Sequence, residues 1–242
     1  MGDSFNRRDW LRMIGASGVA AGLGTGHATN ASAQESGFES SVIADHEIQA
    51  NRASPSLMGD KVIQPRRELP VLRKTDVLVV GGGPAGICAA IAAQRAGAEV
   101  TIVERYGHFG GLWTGGLVLL VLGHIIKGGK QVCQGIGEEM MRRMDKMDGA
   151  IVDRRPGVNP TVDAEAVKYL MVEMIEEANV DVLLHCWGVD AIVNDRAVQG
   201  AVFESKSGRQ AVLAKVVIDA TGDGDLFAAA GAGYQRRSHN IG

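Results

Sequence analysis

Hydrophobic residues fall into short runs and helical stripes from about residue 67 onward, and their order predicts an alternation of strands and helices. Val77 to Val80 reads as an apolar strand that breaks at Gly81-Gly82-Gly83-Pro84-Ala85-Gly86. A small-residue helix follows to about Ala96, Gly97 turns the chain, and a second apolar strand ends on Glu104. Leu117 to Ile126 is strongly apolar and too short to span a membrane, so it is expected in the core. Apolar positions at Val132, Ile136, Met140, Met144 and Met147, with charges between them, predict an amphipathic helix. Asp163 is placed to cap another helix, whose stripe is Val167, Leu170, Met171, Met174, Ile175 and Ala178.

Beyond that helix the period changes from that of a helix to that of strands. Val180 to Cys186 is expected as a strand, followed by shorter ones at about Val189–Val193, Val198–Glu204 and Gln210–Leu213. Asn194-Asp195 and Ser207-Gly208 supply the turns of this meander. A returning strand, Lys215 to Asp219, then runs into Ala220-Thr221-Gly222. The stretch from Tyr234 to Ser238 carries neither period.

Upstream the pattern is different. Gln34 to about Gln64 is polar with no apolar period, which reads as a linker or loosely packed arm over 34–66. Asn6-Arg7-Arg8-Asp9-Trp10-Leu11-Arg12 resembles a twin-arginine export signal, and uncharged Met13–Gly26 is too short and Gly-rich for a stable membrane span. Ala31-Ser32-Ala33 offers a cleavage site that would make Gln34 the new N-terminus. The expected organisation is a signal at 1–33, the arm at 34–66 and one domain at 67–242 with a helical insertion at about 117–160. Such a chain would leave the cytoplasm already folded.

The formal charge of −3 gives no footprint for nucleic acid or an anionic membrane. Cys88, Cys133 and Cys186 are far apart and odd in number, so neither a disulfide framework nor a four-cysteine iron–sulfur cluster is expected. The histidines are isolated from one another, and no metal site is readable.

The chemistry concentrates between Val77 and Glu104. A strand, a Gly-x-Gly-x-x-Gly turn, a helix and a second strand ending on an acid form the unit that seats a dinucleotide pyrophosphate on a helix N-terminus. Gly81 allows the tight turn, Gly83 close approach of backbone to phosphate, and Gly86 close packing of helix on strand. Pro84 and Ala85 open the helix, whose first N–H groups are unpaired donors. Glu104 is placed to accept hydrogen bonds from a ribose diol, and its charge disfavours a 2′-phosphate.

The wording GGGPAG with Glu104-Arg105 resembles the FAD-binding half of the glutathione-reductase-like flavoproteins. More narrowly it resembles bacterial FAD-dependent oxidoreductases related to the flavin subunit of heterodisulfide reductase. Arg66 to Gly222 is similar to the N-terminal half of such proteins. The resemblance implies an α/β, Rossmann-like FAD-binding domain, a parallel sheet with a β-meander crossover, and one that is C-terminally incomplete. The meander argues for FAD over NAD, whose domains usually carry another helix there. The resemblance also implies that Gly110-Gly111 run close to FAD and that Ala220-Thr221-Gly222 pack backbone against its phosphates or ribityl chain. No C-x-x-x-x-C follows Gly111, which disfavours a dithiol mechanism.

The leading expectation is an exported FAD-dependent oxidoreductase, with the flavin carrying hydride or electrons. The catalytic residues are unknown. The alternative is a non-catalytic flavin-binding fragment of a truncated or split enzyme. An NAD-dependent dehydrogenase is weaker, lacking a Tyr-x-x-x-Lys pair. An electron-transfer role would need an iron–sulfur partner that supplies its own cluster. His108, Trp113 and His124 lie in the region that approaches a flavin and are expected to be structural.

Overall fold

A computed structural model describes residues 55–153 and 155–235. The expected signal, residues 34–54 of the arm, Arg154 and the tail from residue 236 lie outside the described residues.

The domain is built on a six-stranded sheet of order β7-β4-β3-β10-β9-β8. Its strands are β3 (Val71–Val80), β4 (Val100–Val103), β7 (Asp181–Leu183), β8 (Trp187–Asn194), β9 (Ala197–Ser205) and β10 (Gly208–Asp219). β7, β4, β3 and β10 pair in parallel, and β10–β9 and β9–β8 are antiparallel. This is the expected α/β fold, a mostly parallel sheet with a meander on one side.

Register decides where a ligand can sit. Val80 is level with Val103 on one neighbour and with Asp219 on the other. Three strands therefore end together, and the turns beginning at Gly81, Glu104 and Ala220 leave the same edge. That carboxyl edge is where open parallel sheets bind ligands.

Helices α1 (Pro84–Arg95), α2 (Ile136–Met144) and α3 (Ala164–Glu177) pack with one face of the sheet. The period of two along β3 divides the core. Val79 joins Ile87, Ile91, Ile102 and the α2 and α3 methionines, while Leu78 and Val80 join Val103, Phe203, Val212 and Leu226. Leu226 belongs to a short helix, α4 (Asp225–Ala229). Asp163 caps α3 as expected, its carboxylate accepting the Ala166 N–H at 2.8 Å.

A charged network fastens the three larger helices. Arg95 on α1 donates twice to Glu139 on α2, at 2.8 and 3.0 Å, and Arg143 bridges Glu139 to Glu177 on α3. The Arg95 hydrogen bonds, with help from Arg143 and against partial burial, bring the Glu139 carboxyl down to about 2. A depressed carboxyl stabilises the fold fully above its unfolded value and loses that contribution as pH falls through the folded one. Glu139→Gln should therefore lower stability by about 1–2 kcal/mol at neutral pH, and the deficit should vanish between roughly pH 4.5 and 2. Parallel thermal melts of both proteins across that range check it.

Several boundaries differ from expectation. The third meander strand and the returning strand are one 12-residue strand, β10, because nothing near Ala214 interrupts it. Its first half pairs with β9, and from Ala211 on it pairs with β3. β3 begins at Val71 rather than Val77, and its first residues, Val71 and Leu72, are exposed. α2 starts only at Ile136, since Gly135 at φ 64° blocks the helix, and Val132 is left exposed. β7 stops at Leu183, and His185 then turns the chain at φ 55°.

The largest correction concerns Leu117–Ile126. Only Val121 and His124 are buried; Leu117 is 70% and Leu122 68% exposed. The segment runs as loops along the surface, and hydrophobicity alone does not bury a stretch without a helical or strand period. The insertion holds α2 and β5 (Ile151–Asp153), which pairs with β6 (Thr161–Val162) just beyond it. In the arm, β1 (Ser56–Met58) and β2 (Lys61–Ile63) form a small hairpin where a linker or loosely packed arm was expected. Every residue of that hairpin's strands is exposed.

Candidate cofactor site

The three turns at the carboxyl edge enclose a cavity of about 480 Å³, within the usual range for small-molecule sites, about 300–1,000 Å³. Gly81, Gly83, Pro84, Ala85, Glu104, Arg105, Gly111, Ala220, Thr221 and Gly222 line it. Gly86 and Gly110, the other two expected site residues, stand behind the wall and shape it.

Each glycine answers to a different constraint. Gly81 sits at φ 107°, and a Cβ there would come within 2.2 Å of the Ala220 carbonyl oxygen. The first and third turns thus touch through backbone, and the Ala220 N–H donates to Val80 O at 2.8 Å. A Cβ on Gly86 would lie 1.8 Å from the Gly81 carbonyl oxygen, so helix and turn pack without a side chain between them. Gly110, at φ 108°, donates its N–H to Gly82 O at 2.8 Å and draws the second turn against the first.

Gly83 is the exception. Its φ of −70° suits any residue, and the nearest atom to a Cβ would be the Gly111 Cα at 4.0 Å. Neither backbone geometry nor packing requires glycine at this position. A Cβ would instead reach into the cavity, at the N-terminus of α1, where a bound phosphate would need the space. The N–H groups of Gly83, Ala85 and Gly86 take no acceptor among the described residues, and no acidic residue occupies the first turn. Unpaired donors at a 12-residue helix N-terminus suit an anion, and so these residues fit the pyrophosphate of FAD.

Glu104 is only 6% exposed and both its oxygens are engaged. Oε2 accepts the Gly82 N–H at 2.6 Å, and Oε1 accepts the Tyr106 N–H at 2.8 Å. Besides facing the cavity, this carboxylate therefore fastens the first turn to the second. Arg105 is folded onto its neighbour: its guanidinium lies 4.6 Å from the Tyr106 ring centroid and donates to the Tyr106 hydroxyl at 2.7 Å. Tyr106 in turn stacks on His108, ring centroids 5.6 Å apart.

His108 and Thr114 both approach the Phe109 carbonyl oxygen, Nδ1 at 3.1 Å and the donating hydroxyl at 2.7 Å. Phe109 is buried, and its ring lies where a Cβ on Gly82 would be, 2.5 Å from Cδ1. Gly82, the unspecified position of the motif, is thus restricted by packing, unlike Gly83 beside it. Trp113 lines the cavity; His124 does not, and lies buried with Nε2 3.6 Å from Glu138.

The start of β8 supplies a wall that the sequence did not mark. Cys186, Trp187 and Gly188 line the cavity, held beside the second turn by Cys186 N–H to Glu104 O at 2.9 Å. Burial pushes the Cys186 thiol up, which disfavours the thiolate, and its Sγ approaches Leu184 O at 3.2 Å. Trp187 is 56% exposed at the mouth. No motif distinguishes these residues from any strand onset. Among the described residues no group of three or more His, Cys, Asp or Glu could hold a metal. None of the described helices is long and apolar enough to cross a membrane.

Comparison with known proteins agrees with this geometry. The chain is 36% identical over 106 residues to the glutamate synthase [NADPH] small chain of Mycobacterium tuberculosis, covering 44% of this chain and 19% of that protein. It is 31% identical over 166 residues to digeranylgeranylglycerophospholipid reductase 1 of Methanopyrus kandleri, covering 61% of this chain and 39% of the relative. The chain thus spans well under half the length of these two relatives. Among solved structures, a triple mutant of the flavin-dependent brominase Bmp2 matches with a TM-score of 0.50 at 19% identity, over 69% of this chain and 44% of that one, a likeness of fold alone. The model of the FAD dependent oxidoreductase family matches residues 76–240, from within β3 to beyond α4, and the chain belongs to that family.

Proposed function

We propose that this chain is the flavin-binding part of an exported FAD-dependent oxidoreductase of the glutathione-reductase-like branch, close to the flavin subunit of heterodisulfide reductase. The observation that carries the cofactor assignment is Gly83, a glycine that the protein's own packing does not require, at a helix N-terminus with unpaired donors. The meander of β8, β9 and β10 supports the branch.

FAD, when bound, supplies hydride or electron transfer at its flavin ring. The protein's part is to hold and orient it. The N–H groups of Gly83, Ala85 and Gly86 receive the pyrophosphate, and Glu104 keeps lone pairs for a ribose diol while its charge rejects a 2′-phosphate. Gly111, Leu112 and Trp113 form the wall that leads away from the phosphates.

A second reading, a flavin-binding unit without turnover of its own, has one observation in its favour. Glu104, Arg105 and Cys186 are each committed to partners within the chain. Anaerobic mixing of the FAD-loaded protein with candidate donors separates the two. Rapid bleaching of the flavin by any organic donor supports the oxidoreductase; persistent colour with every donor supports the binding unit. The substrate is unassigned, and an iron–sulfur electron-transfer partner is compatible with the proposed relatives.

Export rests on the Arg7-Arg8 motif. Replacing both arginines by lysine should leave the protein in the cytoplasm, scored by cell fractionation; unchanged export would refute the twin-arginine route. The destination would be the periplasm or another extracytoplasmic space.

A further inference from the structure

We propose that Asp219, which does not line the cavity, is a positioning residue that sets the third turn for the cofactor and ties it to α4. This rests on the reading of the cavity as an FAD site. Asp219 Oδ1 accepts both the Thr221 N–H, at 3.1 Å, and the Thr221 hydroxyl, at 2.7 Å. The Thr221 oxygen in turn accepts the N–H groups of Gly224 and Asp225, each at 3.1 Å. Asp219 Oδ2 accepts the Phe227 N–H at 2.8 Å. One carboxylate therefore fastens residues 219–227, directly and through one hydroxyl.

The consequence lies in which donors remain. Within that segment the N–H groups of Gly222 and Asp223 take no acceptor among the described residues, and both residues line the cavity. The latch satisfies the donors around them and leaves these two for a ligand. Behind the turn, Ala220 is locked to the first turn through Val80 O and through its close approach to Gly81. Ahead of it, α4 inserts the buried Leu226 beside Val80, Phe203 and Val212. Asp219 is thus the joint between a turn that faces the cofactor and a helix that seats in the core. Partial burial raises its carboxyl, and the hydrogen bonds from Thr221, Phe227 and Leu226 outweigh that and hold it below the usual range, as an ionised acceptor.

The test compares the full chain with Asp219→Asn, Thr221→Val and the double variant, using Glu139→Gln as a control outside the site. Asp219→Asn should weaken FAD by about tenfold or more, the loss expected for hydrogen bonds to a charged group, and should change the visible circular dichroism of the bound flavin. Glu139→Gln should lower the melting temperature without changing either readout. The Asp219 and Thr221 effects should fall short of additive, because they remove one network. Amide exchange at Gly224, Asp225 and Phe227 should accelerate in Asp219→Asn with or without FAD.

Wild-type FAD affinity and dichroism in Asp219→Asn would overturn the proposal, as would full additivity in the double variant. If Asp219→Asn does not fold, unchanged affinity in Thr221→Val overturns it. A wild-type chain that takes up no FAD contradicts the cofactor reading instead, and unaltered amide exchange in Asp219→Asn would then overturn the latch on its own.

Discussion

Gly83→Leu is expected to strip the protein of FAD while leaving its fold standing. The backbone at Gly83 is in an ordinary extended conformation, and no protein atom would lie closer than 4.0 Å to the new Cβ. The cost to the apo fold should stay at about 1 kcal/mol or less, that of a poorer helix N-cap. The leucine side chain would instead fill the space before the N–H groups of Ala85 and Gly86. Loss of two or more charge-assisted hydrogen bonds weakens binding by about a hundredfold or more. Gly86→Ala should behave in the opposite sense. Its Cβ would meet the Gly81 carbonyl oxygen at 1.8 Å, so the damage falls on the fold before any ligand is considered. Thermal melts of the apo proteins beside FAD titrations separate the two classes, and a Gly83→Leu protein that binds FAD normally would remove the main support for the site.

Glu104→Gln should lower both stability and FAD binding. The two oxygens each accept a backbone N–H, a buried one from Gly82 and a half-buried one from Tyr106. Glutamine must present an N–H₂ group to one of them, leaving a donor facing a donor. An unsatisfied buried polar group costs about 1–3 kcal/mol, and the turn that carries Gly83 loosens with it. Glu104→Lys is harsher, because it places a cation against the same donors beside the positive end of α1. The joint loss distinguishes Glu104 from Gly83. An apo stability equal to wild type in Glu104→Gln would mean that the carboxylate serves the ligand alone.

Legibility in the sequence followed the range of the interactions. The first motif is local: strand, turn, helix and second strand are consecutive, and Gly86 is fixed by the Gly81 carbonyl five residues before it, although Gly81 itself is held against the distant Ala220. Asp163 could be placed as a cap for the same reason. What escaped was decided by distant partners. β10 joins two expected strands because β9 pairs with its first half and β3 runs beside most of it. Gly82 is required because Phe109, far along the chain, lies over it. Trp187 reaches the cavity only because the Cys186 N–H finds Glu104 O.

Leu117–Ile126 failed for a related reason. Its leucines alternate with nothing, so no single face could be turned inward, and hydrophobicity without period gave no direction. Asp219 was readable as the end of a strand but not as a latch, since its partners Thr221 and Phe227 acquire their geometry from the seating of α4.

The most direct test of the cofactor assignment is to purify the full chain, record its absorption spectrum, and identify by chromatography what denaturation releases. Near-stoichiometric FAD, with no NAD or NADP, is the predicted result. A folded, colourless protein that takes up no added FAD would contradict the account.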